Sequence, residues 1–189
     1  MVLGLCRWYG AALALEDELA MRTEALFLNG VYEDVVTEIL QVQAVLPDHI
    51  MYLQPYKHEA IVRLREAPPT VDDPVILLLS LSRDLAVVHY VGEVVGWDDK
   101  RKLSDEKRQV LNRLIYTLQP NENGLYNASG AEGGESVNLL HVRRIRRIEK
   151  TFEVTALVNA NTGLPVSDGR ATSGGWVYVK TEGLNGLIR

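Results

Sequence analysis

Four arginines, Arg143, Arg144, Arg146 and Arg147, stand together in the stretch His141-Val142-Arg143-Arg144-Ile145-Arg146-Arg147-Ile148, the one dense cationic cluster of the chain. Guanidinium forks match the oxygens of a phosphate, so a cluster of this kind suits contact with a nucleic-acid backbone. With Val142, Ile145 and Ile148 turned inward, the arginines would fan over one edge of a sheet. The competing reading is a solvated strand face paired with the acidic N-terminal half, which is what most charge runs are.

A second set of residues could hold a base. Trp97, Trp176, Tyr52, Tyr56 and Tyr90 fall at the ends of predicted strands. An aromatic wall beside a few polar groups is how a splayed-out nucleotide is gripped, its face stacked and its edge hydrogen-bonded. Plain core packing is the alternative for each of them. Glu93, between Gly92 and Val94, is acidic within an apolar run. Pointing inward it would have a raised pKa and could serve as a base; pointing outward it is a surface residue.

Other chemistries find less support. Ser80, Ser82 and Ser173 are strand-end or loop serines, and none lies in a Gly-x-Ser-x-Gly elbow. The histidines, at 49, 58, 89 and 141, lack ligand spacing, so no metal site is expected. Neither a phosphate-cradling Gly-rich loop nor a dinucleotide fingerprint is present, and no cofactor is expected.

The elements that must position these residues can be read from pattern and punctuation. The length of 189 residues suits one compact α/β domain, and the lone Cys6 excludes an intrachain disulfide. The apolar stretch Val2 to Leu15 is interrupted by Arg7 and followed at once by acidic residues, unlike a signal peptide; a cytoplasmic protein is expected. The net charge of −5 is uneven: residues 1–70 hold 5 Lys/Arg against 10 Asp/Glu, and residues 71–189 hold 15 against 15. That argues against broad wrapping of a nucleic acid while leaving room for a local basic patch.

Ala11 to Leu26 reads as a helix stopped by Asn29-Gly30, and Tyr32 to Val45 as a second, ended by Pro47. Ile50 to Leu53 is a short strand, with a brief helix around Glu59–Arg65. Val75–Leu79 and Leu85–Val95 are apolar, β-branched runs joined by a short polar link, a buried antiparallel hairpin. Gly92 and Gly96 suggest a bulge or a close backbone approach. Ser104 caps a helix reaching Leu118, followed by a long loop over 120–136. Val137 to Ile148 returns to strand, Phe152 to Val158 suits a helical turn, and Trp176 to Val179 is a last strand.

Taken in order, the segments Met51-Tyr52-Leu53-Gln54-Pro55, Asp72-Asp73-Pro74 with the run to Ser80, and Val88-His89-Tyr90-Val91-Gly92-Glu93-Val94-Val95-Gly96 resemble the PUA-like superfamily, and within it the EVE and ASCH groups. The resemblance covers about two thirds of the chain, and Asp73-Pro74 stands where those groups have Gly-Asp at the hairpin entrance. It implies a small α+β pseudo-barrel with a bent, mainly antiparallel sheet and flanking helices over residues 49–189, a helical insertion near 104–118, and residues 1–48 as an N-terminal helical extension packed on the domain.

By position, the resemblance draws a pocket from Tyr52 or Gln54, Ser80 or Ser82, and Trp97. It implies a module that captures a single nucleotide of DNA or RNA, modified bases included, without catalysis. Two rivals remain. One is a nucleoside-amidohydrolase-type enzyme using Glu93 and a lysine, the closest in sequence being Lys100 and Lys102. The other is a protein-interaction or assembly component, or a homodimer, docking through the N-terminal helix. No membrane partner is expected, since no apolar run is long enough to span one.

Overall fold

The computed structural model describes residues 22–53, 58–99, 102–107, 138–167 and 175–188. Six strands form one mixed sheet: β1 (Glu24–Val31), β2 (Met51–Leu53), β3 (Val75–Leu81), β4 (Val87–Asp99), β5 (Asn138–Glu153) and β6 (Gly175–Lys180). Their spatial order is β2-β5-β4-β3-β1-β6, and the sheet curls into a half-barrel. Every neighbouring pair is antiparallel except β1 with β3. A parallel pair needs a crossover, and here α1 (Glu33–Gln43), β2, a 3-10 turn at His58–Ile61 and α2 (Val62–Glu66) lie between its strands.

The expected hairpin is present, with Val75 across from Val94 and Leu79 across from Tyr90. α1 follows its 3.6-residue pattern and buries Val35, Val36 and Ile39. The brief helix, the last strand and the turn after β5, a 3-10 turn at Val154–Ala156, also stand where they were expected. Ser104 Oγ accepts a hydrogen bond from Lys107 N at 3.2 Å, as an N-cap does. The rest of the predicted 104–118 helix and the 120–136 loop lie outside the described residues.

The N-terminal expectation needs correction at its end. Glu24 to Leu26, expected as the last turn of a helix, open β1 instead, and the rest of that prediction, through residue 21, lies outside the described residues. Ala25, Leu26, Phe27 and Leu28 are all 4% exposed or less, because β3 and β6 flank the strand and both sheet faces are covered. Four successive apolar residues suit a doubly buried strand as well as a helix, and the neighbours decide. Residues 24–48 are thus a strand of the sheet and a helix on it, and Asn29-Gly30 is a bulge within β1 rather than a helix stop.

The sheet carries a core on each face. On the first, Leu26, Leu77, Leu79, Val94, Leu140 and Val142 meet α1 together with Ile61 and Leu64. On the second, Phe27, Leu78, Val88, Val91, Val177 and Val179 meet Val154, Leu157, Val166 and Leu184. Each fully buried leucine contributes about 1.5–3 kcal/mol of transfer free energy. Both glycines of β4 mark close approaches. A Cβ on Gly92 would lie 2.7 Å from Ile145 Cγ1, and one on Gly96 would lie 2.8 Å from His141 Nδ1.

Candidate functional site

The arginine stretch lies in β5 beyond the point where β2 ends, and it is not regular. Arg143 is across from Glu93 and Arg146 across from Val91, so three steps on β5 match two on β4. The extra residue is taken up at Arg144, whose φ of 52° is left-handed. The bulge explains the apolar spacing. Val142, Ile145 and Ile148 are all buried, but the first two enter the first core and Ile148 enters the second.

With β2 finished, the outer edge of β5 needs other partners. Gln43, 4% exposed at the end of α1, supplies them: its Nε2 donates to Val142 O at 3.2 Å and to His49 O at 2.9 Å, while its Oε1 accepts from Ile145 N at 2.8 Å. Arg144 N donates to Pro47 O at 3.0 Å. A side-chain amide thus stands in for a strand.

The four arginines are unequal. Arg143 is 7% exposed, its Nε donating to Glu93 Oε2 at 2.6 Å and its Nη2 to Val71 O at 2.7 Å. This is a buried, committed ion pair rather than a free phosphate contact. Arg144 is exposed, bound to Asp48 at 2.6 Å and to Glu93 Oε1 at 3.3 Å. The hydrogen bond that it donates to Asp48 and the charge of Glu93 hold its pKa above even the usual arginine value. Arg146 gives one Nη to Ile188 O at 2.7 Å. Arg147 is exposed, and its side chain has no hydrogen-bond or ion-pair partner among the described residues.

These residues border an open cleft of about 690 Å³ over the bulge. Its walls include Leu40, Ala44 and Pro47 from the end of α1, Ile76 and Val91 from the sheet, and Ile188 from the C-terminal segment. Glu93, Arg144, Arg146 and Arg147 supply its charge. Glu93 therefore meets arginines, and among the described residues its hydrogen-bond partners include no lysine.

Of the residues expected to form a base pocket, Tyr52, Ser80, Ser82 and Trp97 are among the described residues. Trp97 is across from Leu140, which is across from Leu53, whereas Tyr52 is across from His141. Both nevertheless pack against the first core, Tyr52 with its ring against His141. Trp97 packs against the first core, donates Nε1–H to Leu64 O at 3.3 Å and carries the Arg65 guanidinium 5.6 Å above its ring. Tyr90 packs against that same core, and Trp176 meets Tyr178 edge-on.

Ser80 is fully buried, donating to Asn29 Oδ1 and accepting from Gly30 N at 3.0 Å, so it fastens the β1 bulge. Ser82 is exposed in the β3–β4 turn, where its N–H donates to Val31 O at 2.9 Å. Gln54, Tyr56 and Ser173 lie outside the described residues.

Tyr52 belongs to a cluster that sequence reasoning missed. Its ring meets His141 edge-on at 5.1 Å, His141 Nε2 is 2.7 Å from Asp98 Oδ2, and Lys107 Nζ is 2.7 Å from the same oxygen. Burial lowers the pKa of His141, only partly offset by Asp98. Burial would raise the Asp98 carboxyl, but hydrogen bonds from Lys107 and His141 outweigh it and hold the pKa below the usual carboxylate range. Asp98 and His141 are 43 positions apart, and only the β4–β5 register joins them. Among the described residues no three potential metal ligands gather.

No protein-family model, curated protein or solved structure matches the chain. Among the described residues no helix is long and apolar enough to cross a membrane.

Proposed function

We propose that the chain is a non-enzymatic, PUA-like nucleic-acid-binding module that captures a single nucleotide, and that the capture site is the cleft over the β4–β5 bulge. In this reading Arg144, Arg146 and Arg147 face the phosphates, and the apolar wall at Ile76 and Val91 receives the base. The observation that carries it is an apolar-floored cleft rimmed by guanidinium groups, one of which, Arg147, has no partner among the described residues. A charged group left free beside an apolar hollow suits a ligand with an apolar body and an anionic tail. Arg143 has a positioning role: buried against Glu93, it anchors the strand from which the others project.

The test is a fluorescence-anisotropy titration of single-stranded DNA and RNA across salt concentrations. Replacing Arg146 and Arg147 together by alanine should reduce the log–log salt slope by about one to two, the counterion release of the lost phosphate contacts. An unchanged slope would return the cluster to a solvated face.

A further inference from the structure

We infer that the cleft selects a base presenting two adjacent N–H donors, the edge of guanine, with Glu93 as the specificity-determining acceptor; this rests on the reading of the cleft as a nucleotide site. Glu93 lines the cleft with 22% of its side chain exposed. Its carboxylate is oriented from behind, Oε2 by Arg143 Nε at 2.6 Å and Oε1 by Arg144 Nη1 at 3.3 Å. Arg143 is itself pinned to Val71 O at 2.7 Å, so the carboxylate is set in place before any ligand arrives.

A carboxylate offers about four acceptor sites. The two arginines occupy one on each oxygen, which leaves one on each oxygen for a ligand. Two side-by-side acceptors that cannot donate reward a partner with two side-by-side donors. Guanine has this pattern in N1–H and its 2-amino group. Adenine and cytosine offer an amino group beside a ring acceptor, and uracil offers one N–H between two carbonyl oxygens, so each would set an acceptor against the carboxylate. Each such mismatch loses one hydrogen bond of the pair and sets two acceptors against each other.

The experiment uses the full chain and a short single strand of uridines whose central position is guanosine, inosine or uridine. Inosine deletes only the 2-amino group. Guanosine should bind about tenfold tighter than inosine, the worth of one lost partner in a bidentate pair, with uridine weakest. Equal affinity for all three would overturn the guanine inference while leaving the cleft reading intact; failure of every strand to bind would overturn both. In Glu93→Gln the guanosine-to-inosine ratio should fall toward one, with thermal melting followed on the same sample, and a retained ratio would remove Glu93 from the role. Should that variant not fold, the guanosine–inosine comparison on the parent chain still decides. In Arg147→Ala both strands should weaken with their ratio kept, whereas unaltered binding would place the strand elsewhere and sink the inference.

Discussion

The two ends of the β4–β5 pair carry polar and aromatic side chains of similar promise, and they differ in what those side chains already hold. At the end near β2, Trp97 is bonded to Leu64 O, and Tyr52, His141, Asp98 and Lys107 are bound to one another. At the bulge, among the described residues, Arg144 and Arg146 each retain N–H donors beyond their contacts, and the Arg147 side chain has no partner. A polar group satisfied within the fold contributes to stability, and one left unsatisfied beside an apolar hollow is available to a ligand. In the proposed reading the first end holds the sheet together and the second binds.

The comparison can be broken from the structural side first. Gln43→Leu should produce the largest effect, a loss of about 3 kcal/mol, because Val142 O and Ile145 N are left buried without their partner. Urea denaturation would check it, and a loss under about 1 kcal/mol would mean the β5 edge does not depend on the amide. Trp97→Ala should cost about 2 kcal/mol, less than a fully buried tryptophan because the ring is only partly covered. The folded variant should bind single strands as the parent does.

A smaller effect, on the order of 1 kcal/mol for each unit of pKa shift, is expected from pH. Burial holds His141 below the usual histidine value, so the unfolded chain takes up its proton before the folded one does. The stability this provides is present above the ordinary histidine range and is lost as pH falls through it. Asp98 acts in the same direction lower down: its contribution is present above the ordinary carboxylate value and disappears as pH falls through its depressed folded pKa. Urea midpoints measured against pH should fall on acidification, and His141→Gln should flatten the upper part of that fall. Smallest of all, Arg147→Ala should change stability by no more than about 0.5 kcal/mol, as for an exposed side chain with no hydrogen-bond or ion-pair partner among the described residues.

Much of the scaffold is legible in the residues themselves. The β3–β4 hairpin announces itself through two largely apolar runs joined by a short polar link, α1 through its period, and Gly92 and Gly96 through their position inside a strand. The helix-or-strand choice at Ala25–Leu28 is not local, since the answer comes from β3 and β6 on either side. The site is less legible for the same reason. Apolar spacing of three along β5 says that Val142, Ile145 and Ile148 are buried, but not that a left-handed Arg144 sends the last of them to the opposite face. Gln43 reads as one more polar residue on a helix until the end of β2 exposes the backbone it serves. Trp97 reads as one more strand-end aromatic until its hydrogen bond to Leu64 O is seen.

The most direct test sets the two ends against each other. Arg146→Ala/Arg147→Ala and Trp97→Ala proteins are titrated with the same single strand at the same low salt, with thermal melting on each sample. The account predicts that the arginine variant melts as the parent does and binds at least about tenfold more weakly, from two lost charge-assisted contacts. It predicts that the tryptophan variant melts lower and binds unchanged. A tryptophan variant that is stable but no longer binds, beside an arginine variant that binds like the parent, would contradict it.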